Sequence, residues 1–93
     1  MVRVVVLYAE EPDPEAYAAH VELCRRVAGA TFRHGRVFGA PGGEPRVRYY
    51  AELEFPDREA FSAASRTPEF AATGTDAARL GVPFEVVFVD VAP

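Results

Sequence analysis

Val47-Arg-Tyr-Tyr-Ala-Glu-Leu-Glu-Phe55 alternates along its length. Val47, Tyr49, Ala51, Leu53 and Phe55 are largely apolar, whereas Arg48, Tyr50, Glu52 and Glu54 are polar or amphipathic. A period of two over nine residues describes a strand with one core face and one chemically different face. Pro56-Asp57 follows at once and opens an alanine-rich segment of helical character. A strand delivered straight into a helix fixes the class of fold as mixed α and β.

Working outward, Val2–Ala9 is apolar at nearly every position, the pattern of a central strand covered on both faces. Asp13-Pro14-Glu15 starts a helix, with a side-chain cap, a proline at the first helical position and an acid in the first turn. That helix is expected to reach about Ala28, before Gly29. Tyr17, Val21, Cys24 and Ala28 fall on one face, widened by His20 and Val27. Thr31–Phe38 reads as a second strand and Gly39–Pro45 as a turn rich in breakers. Asp57 caps a helix carrying Phe61 and Ala64. Thr67-Pro68-Glu69 restarts helix, with Gly74 as the one residue that argues against continuity, and Pro83–Val91 is the last strand.

The order β-α-β-β-α-β with right-handed crossovers gives an antiparallel four-stranded sheet with its helices on one face, the ferredoxin-like α+β arrangement. Valines fall on both sides of Val2–Ala9 and Phe84–Val91, and helices can cover only one of those sides. A homodimer formed through the open sheet face is therefore expected.

The chain has 93 residues, read as a single domain spanning 1–93, with 49% hydrophobic content that excludes disorder. Its net charge of −4 and lack of a basic stripe argue against nucleic acid. No apolar run approaches a membrane span and no secretory signal precedes Val2, so a soluble cytoplasmic protein is expected. The single cysteine, Cys24, forms no internal disulfide and reads as a small core residue with no base adjacent to it. Glycines at 39, 42 and 43 join two antiparallel strands without opening a helix, so they form a hairpin and not a phosphate cradle. No cofactor or metal is expected.

Closing the hairpin near Gly39 and Arg46 sets Phe32 opposite Leu53 and Arg33 opposite Glu52, whereas a slip of one residue opposes Arg33 to Leu53. The first register puts His34 and Arg36 on the helix-covered face beside Ala51 and Tyr49. His20, on the sheet-facing flank of the first helix, then lies at the same height, about 10–13 Å back from the Gly29 turn. A pocket of His20, His34 and Tyr49 with Tyr17 and Arg36 would supply an acid–base pair, phenolic donors and a guanidinium, suited to proton transfer on a phenol or enolisable ketone. The same residues also read as hydrogen-bonded boundary and solvated edge positions. Arg48, Tyr50, Glu52 and Glu54 take the other face, as interface ion pairs or a hydrated lining, with Tyr50 as a candidate ligand contact there.

Val4-Val-Val-Leu-Tyr8, Asp13-Pro-Glu-Ala-Tyr17 leading to His20, Gly42-Gly43, Tyr50-Ala-Glu-Leu-Glu-Phe55 and Thr67-Pro-Glu69 together resemble the EthD family. The resemblance implies a ferredoxin-like protomer that dimerises sheet to sheet into a dimeric α+β barrel. It implies binding of a small hydrophobic or aromatic molecule, with cofactor-independent oxygenase or isomerase, cyclase or dehydratase chemistry. The alternatives are a non-catalytic accessory or carrier protein of a degradation pathway, and a structural dimer without ligand. The family often carries a second histidine soon after the one matching His20; here Val21–Val27 follows without one.

Overall fold

A computed structural model describes Met1–Pro93. Strands β1 (Val2–Tyr8), β2 (Thr31–Arg36), β3 (Tyr49–Phe55) and β4 (Phe84–Asp90) form one sheet in the order β2-β3-β1-β4. All three pairings are antiparallel. Helices α1 (Pro14–Arg25), α2 (Arg58–Ser65) and α3 (Pro68–Arg79) connect them. This is the ferredoxin-like α+β fold, and β1, apolar but for Arg3, is a central strand, as its pattern required.

Each helix starts where a side chain can satisfy its orphan amides. Asp13 accepts from the Ala16 amide at 3.0 Å, Asp57 from Ala60 at 2.7 Å, and Thr67 from Phe70 at 3.2 Å. Each such cap is worth about 1 kcal/mol. The second helical segment is two helices. Thr67 both donates to the Ala64 carbonyl at 2.7 Å and caps α3, so the chain breaks there. Gly74 sits inside α3, exposed, without interrupting it. Helix α1 ends at Arg25, short of Ala28. Val27 turns into the core, Ala28 is left exposed, and Gly29 reverses the chain at φ +80°.

The register of β2 on β3 pairs Phe32 with Leu53, Arg33 with Glu52 and His34 with Ala51, as expected from apolar matching. Regular pairing stops at Arg36 and Tyr49, two residues inside the expected ends. Beyond those ends Arg48 still bridges both neighbours, its amide donating to the Tyr8 carbonyl at 2.8 Å and its carbonyl accepting from the Val37 amide at 2.9 Å.

Val2, Val4 and Tyr8, with Ala51, Leu53 and Phe55, face the helices and are buried with Tyr17, Cys24, Val27, Ala64 and Ala77. The helix layer stops short of β4, an edge strand exposed along its whole length. Phe84, Val86 and Phe88 pair with Tyr8, Val6 and Val4 and share their face, yet Phe88 remains 62% exposed. On the opposite face Val5 pairs with Val87, and Val87 and Val89 are exposed.

Candidate functional site

Two recesses separate the helices from the sheet, and the Tyr17 ring stands between them. The first is an open cleft of about 520 Å³ between the start of α1 and the outer end of the β2–β3 pair. Tyr17, His34, Arg36 and Tyr49 line it together with Glu11 and Arg25. The β2–β3 register places His34 and Tyr49 diagonally on one face, and His34 Nδ1 lies 2.7 Å from Tyr49 Oη. Burial, with the Arg25 charge adding to it, lowers the pKa of His34 and favours the neutral ring. Arg36 clasps Glu11 through both Nε and Nη2, so its charge is already matched.

The second recess is a largely apolar cavity of about 210 Å³ between α3 and strands β1 and β4, open along the exposed edge of β4. Val4, Val6, Tyr8, Phe32, Val86 and Phe88 form much of its wall, with His20 and Cys24 from α1 and Thr73 and Ala77 from α3. His20 is 4% exposed. Its Nδ1 lies 3.0 Å from Asp76 Oδ2 on α3, and its Nε2 lies 3.4 Å from Cys24 Sγ one turn further along α1. Arg79 fixes Asp76 from behind through Nε to Oδ1 at 2.6 Å and Nη2 to Oδ2 at 3.1 Å. That guanidinium, and then the His20 hydrogen bond, hold the Asp76 carboxyl below the usual carboxylate range against the opposing cost of burial. Burial pushes the Cys24 thiol up to about 12, so it stays protonated.

The expected five-residue pocket is thus divided. His20 and His34 each sit 5.3 Å, ring to ring, from Tyr17, on its two recesses. Tyr17, His34, Arg36 and Tyr49 share the cleft, while His20 turns to Asp76 and the apolar cavity. The reading of Cys24 as having no adjacent base is corrected: its helical neighbour His20 is that base. The i,i+4 spacing of His20 and Cys24 was visible in the sequence, whereas Asp76 comes from another helix and was not.

Tyr8 and Tyr17 carry a further feature that pattern could not reveal. Their rings meet edge to face at 5.8 Å and their hydroxyls adjoin, but both hydroxyls are buried outside hydrogen-bonding geometry with any group. Burial raises the pKa of each, so both remain protonated hydroxyls that face only one another.

Tyr50 lies on the opposite sheet face. Its hydroxyl donates to Glu52 Oε1 at 2.6 Å, while Arg33 reaches Glu52 at 3.0 Å and Glu54 at 3.3 Å, and Arg3 reaches Glu54 at 3.1 Å. Arg48 stands apart from this network and pairs with Glu44 at 2.6 Å in the hairpin loop. The carboxylates on this face are spent on arginines, and no group of three His, Cys, Asp or Glu converges where a metal could be held.

No family model and no curated protein matches the chain. Solved structures do. An EthD (ethyl tert-butyl ether) family protein from Bacillus halodurans is 26% identical, with 99% of each chain covered and a TM-score of 0.82. A dimeric ferredoxin-like protein of unknown function from Jannaschia sp. is 22% identical over 97% of this chain and 98% of its own, at 0.68. SnoaB, a cofactor-independent oxygenase from Streptomyces nogalater, is 19% identical over 99% and 93%, at 0.62. No helix is long and apolar enough to cross a membrane. The chain thus resembles an EthD family protein in fold over its whole length, at 26% sequence identity.

Proposed function

We propose that this chain is a homodimeric EthD-like protein that takes a small, single-ring aromatic molecule into the cavity between α3 and the sheet. The observation that carries the reading is that cavity. It is largely apolar, about 210 Å³, and walled in part by Tyr8, whose buried hydroxyl lacks a partner. An apolar cavity of about 150 Å³ already accepts benzene, so this one has room for a substituted ring. Buried hydroxyls without partners cost stability, and a ligand oxygen is the kind of group that repays it.

The chemistry that fits is proton transfer, alone or as the opening step of cofactor-independent oxygenation. His20 is the acid–base residue of the cavity. His34 and Tyr49, across the Tyr17 ring, form a second acid–base pair open to water, with Arg36 beside them. Dimerisation belongs to the open sheet face, where Val5, Val87 and Val89 surround the neutral network of Arg3, Arg33, Glu52 and Glu54.

A thermal-shift series with phenol, catechol, 4-nitrophenol, benzoquinone and naphthol tests the binding. One-ring compounds are expected to raise the melting temperature with ligand concentration. Val86→Trp, which narrows the cavity from its exposed edge, is expected to abolish that response with the fold intact. Equal shifts in wild type and V86W, or none with any ring, would refute the cavity as the ligand site.

A further inference from the structure

We propose that His20 is the proton acceptor of the cavity and that its substrate class is an acidic one-ring aromatic, a phenol or an enolisable ring ketone; this rests on the cavity being the ligand site.

The roles follow from which atoms can donate. Asp76 is an ionised carboxylate and can only accept, so the hydrogen on His20 sits on Nδ1 and points to Asp76 Oδ2 at 3.0 Å. The Nε2 lone pair is then left facing the Cys24 sulfur at 3.4 Å. A thiol is a weak donor, and Cys24 remains a thiol at any working pH. It therefore occupies Nε2 only as a weak donor, and a phenolic O–H is the stronger donor to take its place. Every charged or titratable group that meets this imidazole has a place in the scheme: Asp76 from α3, anchored by Arg79, and Cys24 and Tyr17 from α1. No free cation approaches that would oppose protonation, since Arg79 is bound to Asp76 and to the Ala16 carbonyl at 2.9 Å.

The step balances without a co-reactant. The substrate O–H bond, or the C–H bond beside a ring carbonyl, breaks as an N–H bond forms at His20 Nε2. The electron pair stays on the substrate as phenolate or enolate. The new imidazolium is held by its Nδ1–H to Asp76, whose position fixes the ring; Asp76 is a positioning residue. Tyr8 lines the same cavity with a buried, unpartnered hydroxyl, and it supplies the donor for the anionic oxygen. What sets this histidine apart from a packing residue is that its ring, held from behind by a carboxylate, forms part of the wall of an apolar cavity.

The test uses 4-nitrophenol, whose phenolate is yellow and whose neutral form is not, in buffer about one pH unit below its own pKa. Binding is followed by calorimetry and ionisation by absorbance in the same samples. Bound to the wild-type dimer, the ligand is expected to turn yellow, its ionised-to-neutral ratio rising at least about tenfold, the equivalent of one pKa unit. His20→Gln should bind it colourless. Asp76→Asn should bind it with less colour and a pH profile displaced upward. Ligand bound by wild type without colour, or colour retained by H20Q, would overturn the inference while leaving the cavity as a binding site. Loss of colour in His34→Ala with H20Q still yellow would move the base to the cleft and equally overturn it. No binding heat at all would overturn both readings. Should H20Q not fold, the wild-type colour and its weakening in D76N decide the matter by themselves.

Discussion

Removing one oxygen atom should make this protein more stable and worse at binding. Tyr8 is fully buried, and its hydroxyl finds no hydrogen-bond partner, adjoining only the equally unpartnered hydroxyl of Tyr17. A buried hydroxyl in this position costs about 1–3 kcal/mol of desolvation that folding does not recover. Tyr8→Phe removes that cost and keeps the ring that packs edge to face on Tyr17 and against Phe84 at 5.8 Å. The vacated space is smaller than a methyl group, so the lost contacts return only a few tenths of a kcal/mol. The net gain should be about 1 kcal/mol, which for a chain of this length raises the melting temperature by about 4–8 °C. Urea unfolding at fixed protein concentration measures it, with a raised midpoint and an unchanged slope. Affinity for 4-nitrophenol should fall by about tenfold or more in the same variant, because a hydrogen bond to a charged oxygen is worth about 1.5–3 kcal/mol. A stabilised variant with weakened binding is the signature of a group held ready for a ligand. A loss of about 1 kcal/mol would refute the reasoning, since it would mean that the hydroxyl is already satisfied.

Three further outcomes follow from the same contacts. Asp76 has its pKa depressed by Arg79 and His20, so its stabilisation is full above the ordinary carboxylate pKa of about 4 and is lost as pH falls through its lower folded value; Asp76→Asn should flatten the acid limb of a stability–pH curve measured by circular dichroism. Val87→Glu sets a carboxylate opposite Val5 on the open face, so light scattering at low micromolar concentration should find a dimer for wild type and a monomer for the variant; a wild-type monomer would remove the dimer from the proposal. His34→Ala and Tyr49→Phe each break one partly exposed 2.7 Å hydrogen bond and should cost no more than about 1 kcal/mol in urea unfolding; larger losses would make the cleft a structural element.

The sheet was legible because its signals are local and redundant. Alternation in Val47–Phe55 named the core face, the two-sided apolar run of Val2–Ala9 named a central strand, and apolar matching of Phe32 with Leu53 left one sensible register. Asp13, Asp57 and Thr67 announced their helices through side chains that cap amides only three residues away. That register also determined that His34 and Tyr49 share a face and that Glu52 meets Arg33 on the other. Helix packing decided the rest. Whether His20 turns to His34 or to Asp76 depends on how α3 lies against α1, a relation between residues 56 positions apart that no periodicity encodes. The strip of β4 left uncovered, the cavity under α3 and the two unpartnered tyrosine hydroxyls likewise arise from how far three helices extend over four strands. A hydrophobic pattern says which face is buried; only the packed structure says where that burial is incomplete, and here the incomplete part is where a ligand would go.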